Sequence, residues 1–283
     1  MTTMTSMTTR SALATAALLG ALAGIGSGCA TTGELKQDTF QARKRLAAEL
    51  IARGDFATAF SYADDLHRER PLDTEVLVLR GVVYRDKGMS TEAEADLREA
   101  IALDNRLAEA HAALGILFDL THRSEQAELE HQRAAALAPT NARYLNNLGF
   151  SLFMHGKARE AILAFGRAAR LDPINRRVHT NLGFALAASG DLRGAAREFQ
   201  MGGSAAEAKN NLGFAYERRG DLAHAYDLYR EASSLDPASK RARSNLAFAA
   251  AALGRDLPAD PVPSDASSDH SAGAARGAAA FSP

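Results

Sequence analysis

Four asparagines recur at nearly constant spacing and form the most regular set of polar side chains in this sequence. They stand 34, 30 and 34 residues apart, and a phenylalanine follows each of them by three residues. An asparagine side chain carries a hydrogen-bond donor and an acceptor, so it can pair with the backbone of an extended peptide. We therefore predict a peptide-binding surface with a row of amides and a row of rings, made of Asn147, Asn181, Asn211, Asn245, Phe150, Phe184, Phe214 and Phe248.

The elements that position these rows recur with the same period. A small residue stands two positions after each asparagine, and steps of 34 towards the amino terminus extend this series to Ala47, Gly81, Gly115, Gly149, Gly183, Gly213 and Ala247. An alanine follows the first six of these positions by twelve residues. At about 100° per residue, a helix turns Leu145, Leu148 and Gly149 to one face and Asn147 to the opposite side. Each repeat is therefore predicted to be a helix pair that buries its apolar face on the next pair.

A 34-residue period with this pattern resembles the tetratricopeptide repeat. The resemblance covers roughly residues 40–254 and implies an all-α fold, a right-handed superhelix (α-solenoid) of about six helix-turn-helix repeats plus a capping helix. It places the asparagine row on the concave surface, similar to the asparagine ladder of the O-linked N-acetylglucosamine transferases. A protein partner would bind there as an extended or helical segment. The repeats are predicted at about 40–73, 74–107, 108–141, 142–175, 176–205 and 206–239, with the cap at 240–254.

Each row also has a purely structural interpretation. The asparagines can belong to the repeat without touching a ligand, and the phenylalanines can pack between neighbouring first helices, because rings are commonly buried in cores. An exposed row of four rings would instead form the contiguous apolar patch that marks an interaction site. In the earlier repeats Val82 and Ile116 replace phenylalanine, and Leu79 and Ala113 replace asparagine. The sequence therefore predicts that the binding half begins at Ala142.

The fifth repeat is four residues shorter than the others. Its second helix is predicted to end at Gln200 or Met201, before two glycines. Ser204 and Glu207 then have the spacing of a capping box that opens the next helix. The missing turn either bends the binding groove or is a tolerated deletion in a loop on the convex side.

Residue sets for catalysis or metal binding are not evident. His111 and His131 fall at core-facing positions of one repeat, where they either approach each other as metal ligands or replace aromatic side chains. Asp64, Asp65 and His67 are predicted to lie on a solvated face near a helix end. We therefore predict no enzyme activity, no metal site and no cofactor.

Charge and cysteine content limit the classes of partner and of fold that the sequence allows. The 283 residues include 33 basic and 34 acidic side chains, a formal net charge of -1, which does not favour nucleic acid as a partner. With only 6% aromatic residues, the alanine-rich sequence favours helices over strands. The single cysteine, Cys29, lies outside every repeat, so no disulfide framework is predicted.

The amino-terminal segment resembles the leader of a bacterial lipoprotein. Residues 11–25 form an apolar run of signal-peptide length, which is short for a hydrocarbon core of about 30 Å. Small residues then precede Cys29, as in the lipobox after which a cysteine is acylated. The resemblance implies that residues 1–28 are a signal peptide and that lipidated Cys29 anchors the chain in a membrane. Because Ala30 is not aspartate, it further implies the outer membrane, with the protein facing the periplasm.

Two segments flank the predicted solenoid. Residues 29–39 are predicted to be a lipid-anchored tether. Residues 255–283 are rich in proline, alanine, serine and glycine and lack a helical period, so we predict a disordered tail.

These features predict a non-catalytic protein-protein interaction scaffold in envelope machinery. With a lipoprotein leader and about six tetratricopeptide repeats, the chain resembles two pilus-assembly groups, the TadD lipoproteins of the Tad/Flp pilus and the type IV pilus pilotins. The resemblance implies pilus or secretin components as partners. The alternatives are a scaffold for another secretion or cell-wall complex, and a regulatory subunit of an envelope enzyme.

Replacing Cys29 with serine tests the predicted lipid anchor. The variant lacks the sulfur that would carry the lipid, so cells grown with a labelled fatty acid should label the wild-type protein and not Cys29→Ser. Ser27→Ala is a matched control, because it keeps a small residue in the leader and leaves Cys29 in place. Label incorporated into Cys29→Ser would contradict the lipid assignment.

Overall fold

The computed structural model describes residues 32–257, and this part of the chain is entirely α-helical apart from short connections. The all-α prediction is thereby confirmed. The thirteen helices of the described part are α1 (Thr32–Ala52), α2 (Phe56–Glu69), α3 (Thr74–Asp86), α4 (Ser90–Leu103), α5 (Ala108–Leu120), α6 (Ser124–Leu137), α7 (Ala142–Met154), α8 (Ala158–Leu171), α9 (Arg176–Ser189), α10 (Leu192–Gly202), α11 (Ala205–Arg218), α12 (Leu222–Leu235) and α13 (Lys240–Leu253).

The helix bounds follow local sequence signals. Asp55, Asp191 and Asp221 cap α2, α10 and α12, and each carboxylate accepts a hydrogen bond from the backbone N–H three residues later. One bound differs from the prediction. Helix α1 begins at Thr32, inside the segment predicted as a tether, because no proline or turn signal separates that segment from the first repeat.

The turn inside each hairpin requires a left-handed backbone. His122 takes this role in the third hairpin with φ 59°, a conformation that costs a side-chain-bearing residue about 1–2 kcal/mol. The other five hairpins use glycine, with φ between 76° and 99°, at Gly54, Gly88, Gly156, Gly190 and Gly220.

Each of the five hairpins from α3 to α12 is closed by a side chain that packs directly on a glycine of the facing helix. A Cβ atom on Gly149 would lie 2.7 Å from Cδ1 of Phe165, and one on Gly183 would lie 2.6 Å from Phe199. These distances are too short for any side chain, so the close approach depends on glycine. The same contact joins Gly81 to Leu97, Gly115 to His131 and Gly213 to Tyr229.

The hairpins stack in chain order and give the solenoid an inner and an outer wall. Every helix packs against the next one along the chain, and each odd-numbered helix also contacts the next odd-numbered helix. Within the described residues, no comparable contact joins successive even-numbered helices. Because the odd-numbered helices lie closer together, they form the inner, concave wall, and the even-numbered helices form the outer wall.

The shortened fifth repeat has lost a turn of its outer helix. Helix α10 contains 11 residues, whereas the other outer helices contain 14. Its last residue, Gly202, lies against the first turn of α9, where a Cβ atom would come within 2.9 Å of the Thr180 nitrogen. The predicted capping box is present, since the Ser204 hydroxyl accepts from the Glu207 N–H at 3.2 Å and the Glu207 carboxylate accepts from the Ser204 N–H at 2.7 Å.

Several predictions concern segments outside the described residues. These are the signal peptide, the lipidated Cys29, and the tail from Pro258 onward. Among residues 32–257, no helix combines the length and the apolar character needed to cross a membrane.

Substitutions at two glycines test the hairpin packing. Gly149→Ala places a methyl group against the Phe165 ring, so we expect a loss of about 1–3 kcal/mol in the free energy of unfolding. Gly166→Ala is the matched control, because Gly166 is also helical but only the tip of Arg170 lies near its open side, at 3.8 Å. That change should stabilise the fold by about 0.5–1 kcal/mol. Equal effects in urea unfolding would contradict the proposed packing.

Candidate functional site

Three open grooves lie along the inner wall. The N-terminal groove, of about 950 Å³, crosses α1, α3, α5, α7 and α9. The polar groove, of about 860 Å³, lies over the first halves of α9, α11 and α13, and the aromatic groove, of about 810 Å³, crosses the second halves of α7, α9 and α11. Arg176 and Arg177 line both the N-terminal and the polar groove, which are therefore continuous.

The N-terminal groove is formed mainly by small and aliphatic side chains. Val82 and Ile116 line it, although the sequence predicts a binding half only from Ala142 onward. Aliphatic side chains at these positions shape a groove as well as rings do. Its charged lining is mostly basic, with Glu109 as the one acidic lining residue among Arg85, Arg143, Arg176 and Arg177.

The predicted asparagine row lies on the inner wall but is not open to solvent. Asn147 lines the N-terminal groove, and Asn181 and Asn211 line the polar groove. All four side chains of the row are nevertheless buried, with exposed fractions of 1–7%. The helical wheel placed them on the correct side of the helix, but it could not show that the neighbouring inner helix covers them.

A second set of asparagines pairs with two members of the row. The Asn181 amide nitrogen donates to the Asn146 oxygen at 3.1 Å, and Asn245 donates in the same way to Asn210 at 2.9 Å. These bonds join α7 to α9 and α11 to α13. This second set was not predicted, although the Asn-Asn doublets at 146–147 and 210–211 are a visible signal in the sequence.

The phenylalanine row is divided between groove and core. Phe150, Phe184 and Phe214 all line the aromatic groove. Phe184 is only 6% exposed, and its ring meets Phe199 and Phe214 edge-on at centroid distances of 4.9 and 5.9 Å. Phe248, at the end of the row, is 40% exposed. The rings therefore pack between inner helices and also present a surface, and the binding of a peptide to that surface stays a prediction.

Other residues of the aromatic groove were not predicted. Phe153 and Met154 follow the Phe150 position by about one turn of α7, so helical periodicity could have identified them. Arg218 and Arg219 lie at the end of α11 and add positive charge to the groove. The result is an apolar surface with two guanidinium groups on one side.

The polar groove contains an ion pair at the shortened repeat. Arg176 donates to the Glu207 carboxylate at 2.6 Å and to the carbonyl oxygen of Gly202 at 3.3 Å. The pKa of Glu207 is lowered, first by the hydrogen bond from the Ser204 N–H and further by Arg176. The loss of four residues therefore affects the groove itself, because Gly202, Ser204 and Glu207 all line it.

Two histidines connect the inner and outer helices of their hairpins. His111 contacts the Glu130 carboxylate at 2.6 Å through Nδ1 and the carbonyl oxygen of Asn105 at 3.2 Å through Nε2. His179 lies two repeats later and makes the same contacts with Glu198, at 2.7 Å, and with Pro173 O, at 2.9 Å. The sequence predicts His111 only as a metal ligand or a core residue, so these bridges are a finding of the structure.

Ser151, Asp119 and His131 form the cluster that most resembles a catalytic site, but a substrate cannot reach the serine. The Ser151 hydroxyl donates to Asp119 at 2.8 Å, and His131 contacts the other oxygen of that carboxylate at 2.9 Å. Ser151 has no exposed surface, so it cannot serve as an accessible nucleophile. Among the described residues, no group of three or more histidine, cysteine, aspartate or glutamate side chains is placed to hold a metal ion.

Stacked helix pairs with grooves on one wall define an interaction scaffold of the solenoid class. Sequence profiles of the tetratricopeptide repeat family match residues 74–107 and 206–239. The chain therefore contains tetratricopeptide repeats and is a tetratricopeptide-repeat scaffold for protein interactions, as the 34-residue period predicted. Repeats of this kind are generally non-catalytic interaction modules.

Solved structures share this fold. The match with Pseudomonas aeruginosa PilF covers 75% of this chain and 98% of the PilF chain, at 20% identity and a TM-score of 0.59. PilW, described as a widely conserved type IV pilus biogenesis factor, matches 74% of this chain over 97% of its own, at 18% identity and a TM-score of 0.62. YrrB, described as having an unusual peptide-binding site, matches 64% over 96%, at 19% identity and a TM-score of 0.52. Comparison with curated protein sequences gives no match.

A double-mutant cycle tests the role of the buried amides. Asn181→Ala leaves the Asn146 oxygen without its donor, so we expect a loss of about 1–3 kcal/mol in the free energy of unfolding. Asn146→Ala combined with Asn181→Ala should cost about 1 kcal/mol less than the sum of the single changes. Asn105→Ala, at an exposed position, is the control and should change stability by less than about 0.5 kcal/mol. Strict additivity would contradict the pairing.

Proposed function

We propose that this chain is an outer-membrane lipoprotein that holds a segment of another envelope protein in its inner groove during assembly of a Flp/Tad or type IV pilus. The observation that carries the proposal is the continuity of the N-terminal and polar grooves, which together touch all seven odd-numbered helices. At about 10 Å per helix, the six intervals between these helices give a path of roughly 60 Å. Such a path accommodates roughly 18 residues of extended chain.

The composition of the groove indicates the chemistry of its partner. Apolar side chains such as Ile51, Val82 and Ile116 form much of the N-terminal floor, and the charged lining is predominantly arginine. The buried asparagines Asn146 and Asn181 are engaged with each other and offer less to a ligand. A segment with apolar side chains and acidic neighbours therefore complements this surface better than a basic one.

The leader supports the proposed location. The apolar run at residues 11–25 followed by small residues and Cys29 is the pattern of an acylated envelope protein. Anchoring by an acyl chain at Cys29 would hold the solenoid beside the membrane, with its groove free to meet periplasmic segments of other proteins.

The likeness to PilF and PilW supports the pilus part of the proposal. PilW is a type IV pilus biogenesis factor, and this chain covers 97% of it. At 18–20% identity such a likeness establishes the fold alone. A scaffold for another secretion or cell-wall complex, or a regulatory subunit of an envelope enzyme, are the rival functions. A prepilin peptidase, a secretin and a secretion ATPase encoded beside this chain would favour the pilus.

Groove variants test the scaffold function directly. Ala48 and Ala52 are exposed residues of α1 that line the N-terminal groove, so Ala48→Glu with Ala52→Glu should repel an acidic partner without disturbing the core. After crosslinking in cells and mass spectrometry, we expect about tenfold less of the principal partner than with the wild-type protein.

The matched control carries the same charges on the outer wall. Ala57 in α2 and Ala136 in α6 are exposed, so Ala57→Glu with Ala136→Glu adds two carboxylates away from the groove and should capture the partner normally. Equal capture by both double variants would contradict the groove as the binding site. Normal piliation in a strain that lacks the gene would contradict the pilus assignment and leave the scaffold function standing.

A further inference from the structure

The aromatic groove is the least polar of the three surfaces, and it has a charged side. Phe150, Phe184 and Phe214 line it from three successive inner helices, and exposed Arg218 and Arg219 lie at its edge. Neither arginine forms an ion pair with another residue of the described part of the chain.

The chemistry of this groove selects one kind of ligand. An aromatic ring in the ligand could meet Phe214 edge-on, as the buried Phe184 ring already meets it at 5.9 Å. Acidic side chains beside that ring would then approach Arg218 and Arg219. The groove therefore fits a segment with one large apolar residue and several carboxylates.

The chain itself contains such a segment after Leu257. Residues 258–283 include three aspartates and one arginine, which gives a net charge of -2 with histidine neutral. Phe281 is the one phenylalanine, tyrosine or tryptophan in this segment. The tail therefore has both features that the groove selects.

The tail also begins close to the groove. The groove is lined by the carboxyl-terminal halves of α7, α9 and α11. Helix α13 is the next helix of the same wall, so its carboxyl-terminal end lies at the same edge of the solenoid. Neighbouring packed helices lie about 10 Å apart, whereas the 24 residues from Leu257 to Phe281 can span roughly 80 Å when extended. The tyrosine hydroxyl of Tyr226 donates to the carbonyl oxygen of Asp256 at 3.4 Å, so the residues just before the tail contact the solenoid.

We infer that residues 258–283 dock in the aromatic groove of their own chain, with Phe281 against the phenylalanines and the aspartates beside Arg218 and Arg219. Because the segment is tethered, its effective concentration at the groove is in the millimolar range. A partner that uses this groove must then displace the tail. This inference goes beyond the proposed function, because it holds whether or not the partner belongs to a pilus.

A labelled peptide with the sequence of residues 258–283 tests the inference. It should bind the chain that ends at Leu257, which keeps all thirteen described helices, with saturable fluorescence anisotropy. The full chain should bind the same peptide about tenfold more weakly, because its own tail competes. The peptide with Phe281→Ala should lose about tenfold in affinity for the shortened chain.

Charge reversal locates the binding site. Arg218→Glu with Arg219→Glu in the shortened chain should weaken peptide binding about tenfold. Arg159→Glu with Arg167→Glu is the matched control, because both arginines are exposed on outer helix α8, and this variant should bind normally. Circular dichroism should show equal helicity in both variants.

The remaining outcomes overturn the inference. They are failure of the peptide to bind the shortened chain at about 1 mM, or binding that is unaffected by the reversal at Arg218 and Arg219. A full-length dimer that sedimentation detects and that disappears on truncation would mean that the tail docks in a second copy. If the peptide fails while the Ala48→Glu, Ala52→Glu variant still loses its partner, the inference is wrong and the proposed function stands.

Discussion

The close approach of two helices at a residue that lacks a side chain is the constraint on which most of this structure depends. In each hairpin from α3 to α12, a buried side chain sixteen residues later occupies the space that a Cβ atom at the glycine would need. The partner can be aliphatic, as Leu97 is, or aromatic, as Phe165 is, so the constraint concerns volume rather than chemistry. Because this contact fixes the hairpin geometry, it also fixes the direction in which the opposite face of each inner helix points.

Once the hairpins are fixed, polar links join several of the inner helices. Lys44 of α1 reaches Asp73 at 3.2 Å and Glu75 at 2.6 Å, beside and within α3. The Ser151 hydroxyl of α7 donates to Asp119 of α5 at 2.8 Å. The amide pairs join α7 to α9 and α11 to α13. Buried polar groups of this kind favour one arrangement of the stack, because a shifted neighbour would leave them unpaired.

Features set by residues a few positions apart could be predicted from the sequence, and side-chain pairs between residues far apart in the chain could not. The bounds of α13 and the capping box at Ser204 follow from residues that lie a few positions apart, and their signals are local. The burial of Asn181 depends on Asn146, which is 35 residues away and lies on a different helix. A helical wheel shows the side of a helix on which a residue lies but contains no neighbouring helix. The sequence therefore predicts the position of these amides along the inner helices but not the residues that pair with them.

The shortened repeat changes the junction of α9 with α11, which lies between the two junctions that carry amide pairs. At the position where α7 and α11 carry Asn146 and Asn210, α9 carries Thr180, whose hydroxyl donates to the carbonyl oxygens of Arg176 and Gly202 instead. On this side the Arg176–Glu207 ion pair joins α9 to α11, and exposed pairs contribute only about 0–1 kcal/mol.

The other side of that junction is held differently. There the rings of Phe184 and Phe214 meet edge-on beside the aromatic groove. The junction therefore combines an exposed ion pair on its polar side with packed rings on its aromatic side. A ligand that separates α9 from α11 in the polar groove would therefore also press on the rings of the aromatic groove, so the two surfaces are mechanically connected through a single pair of helices.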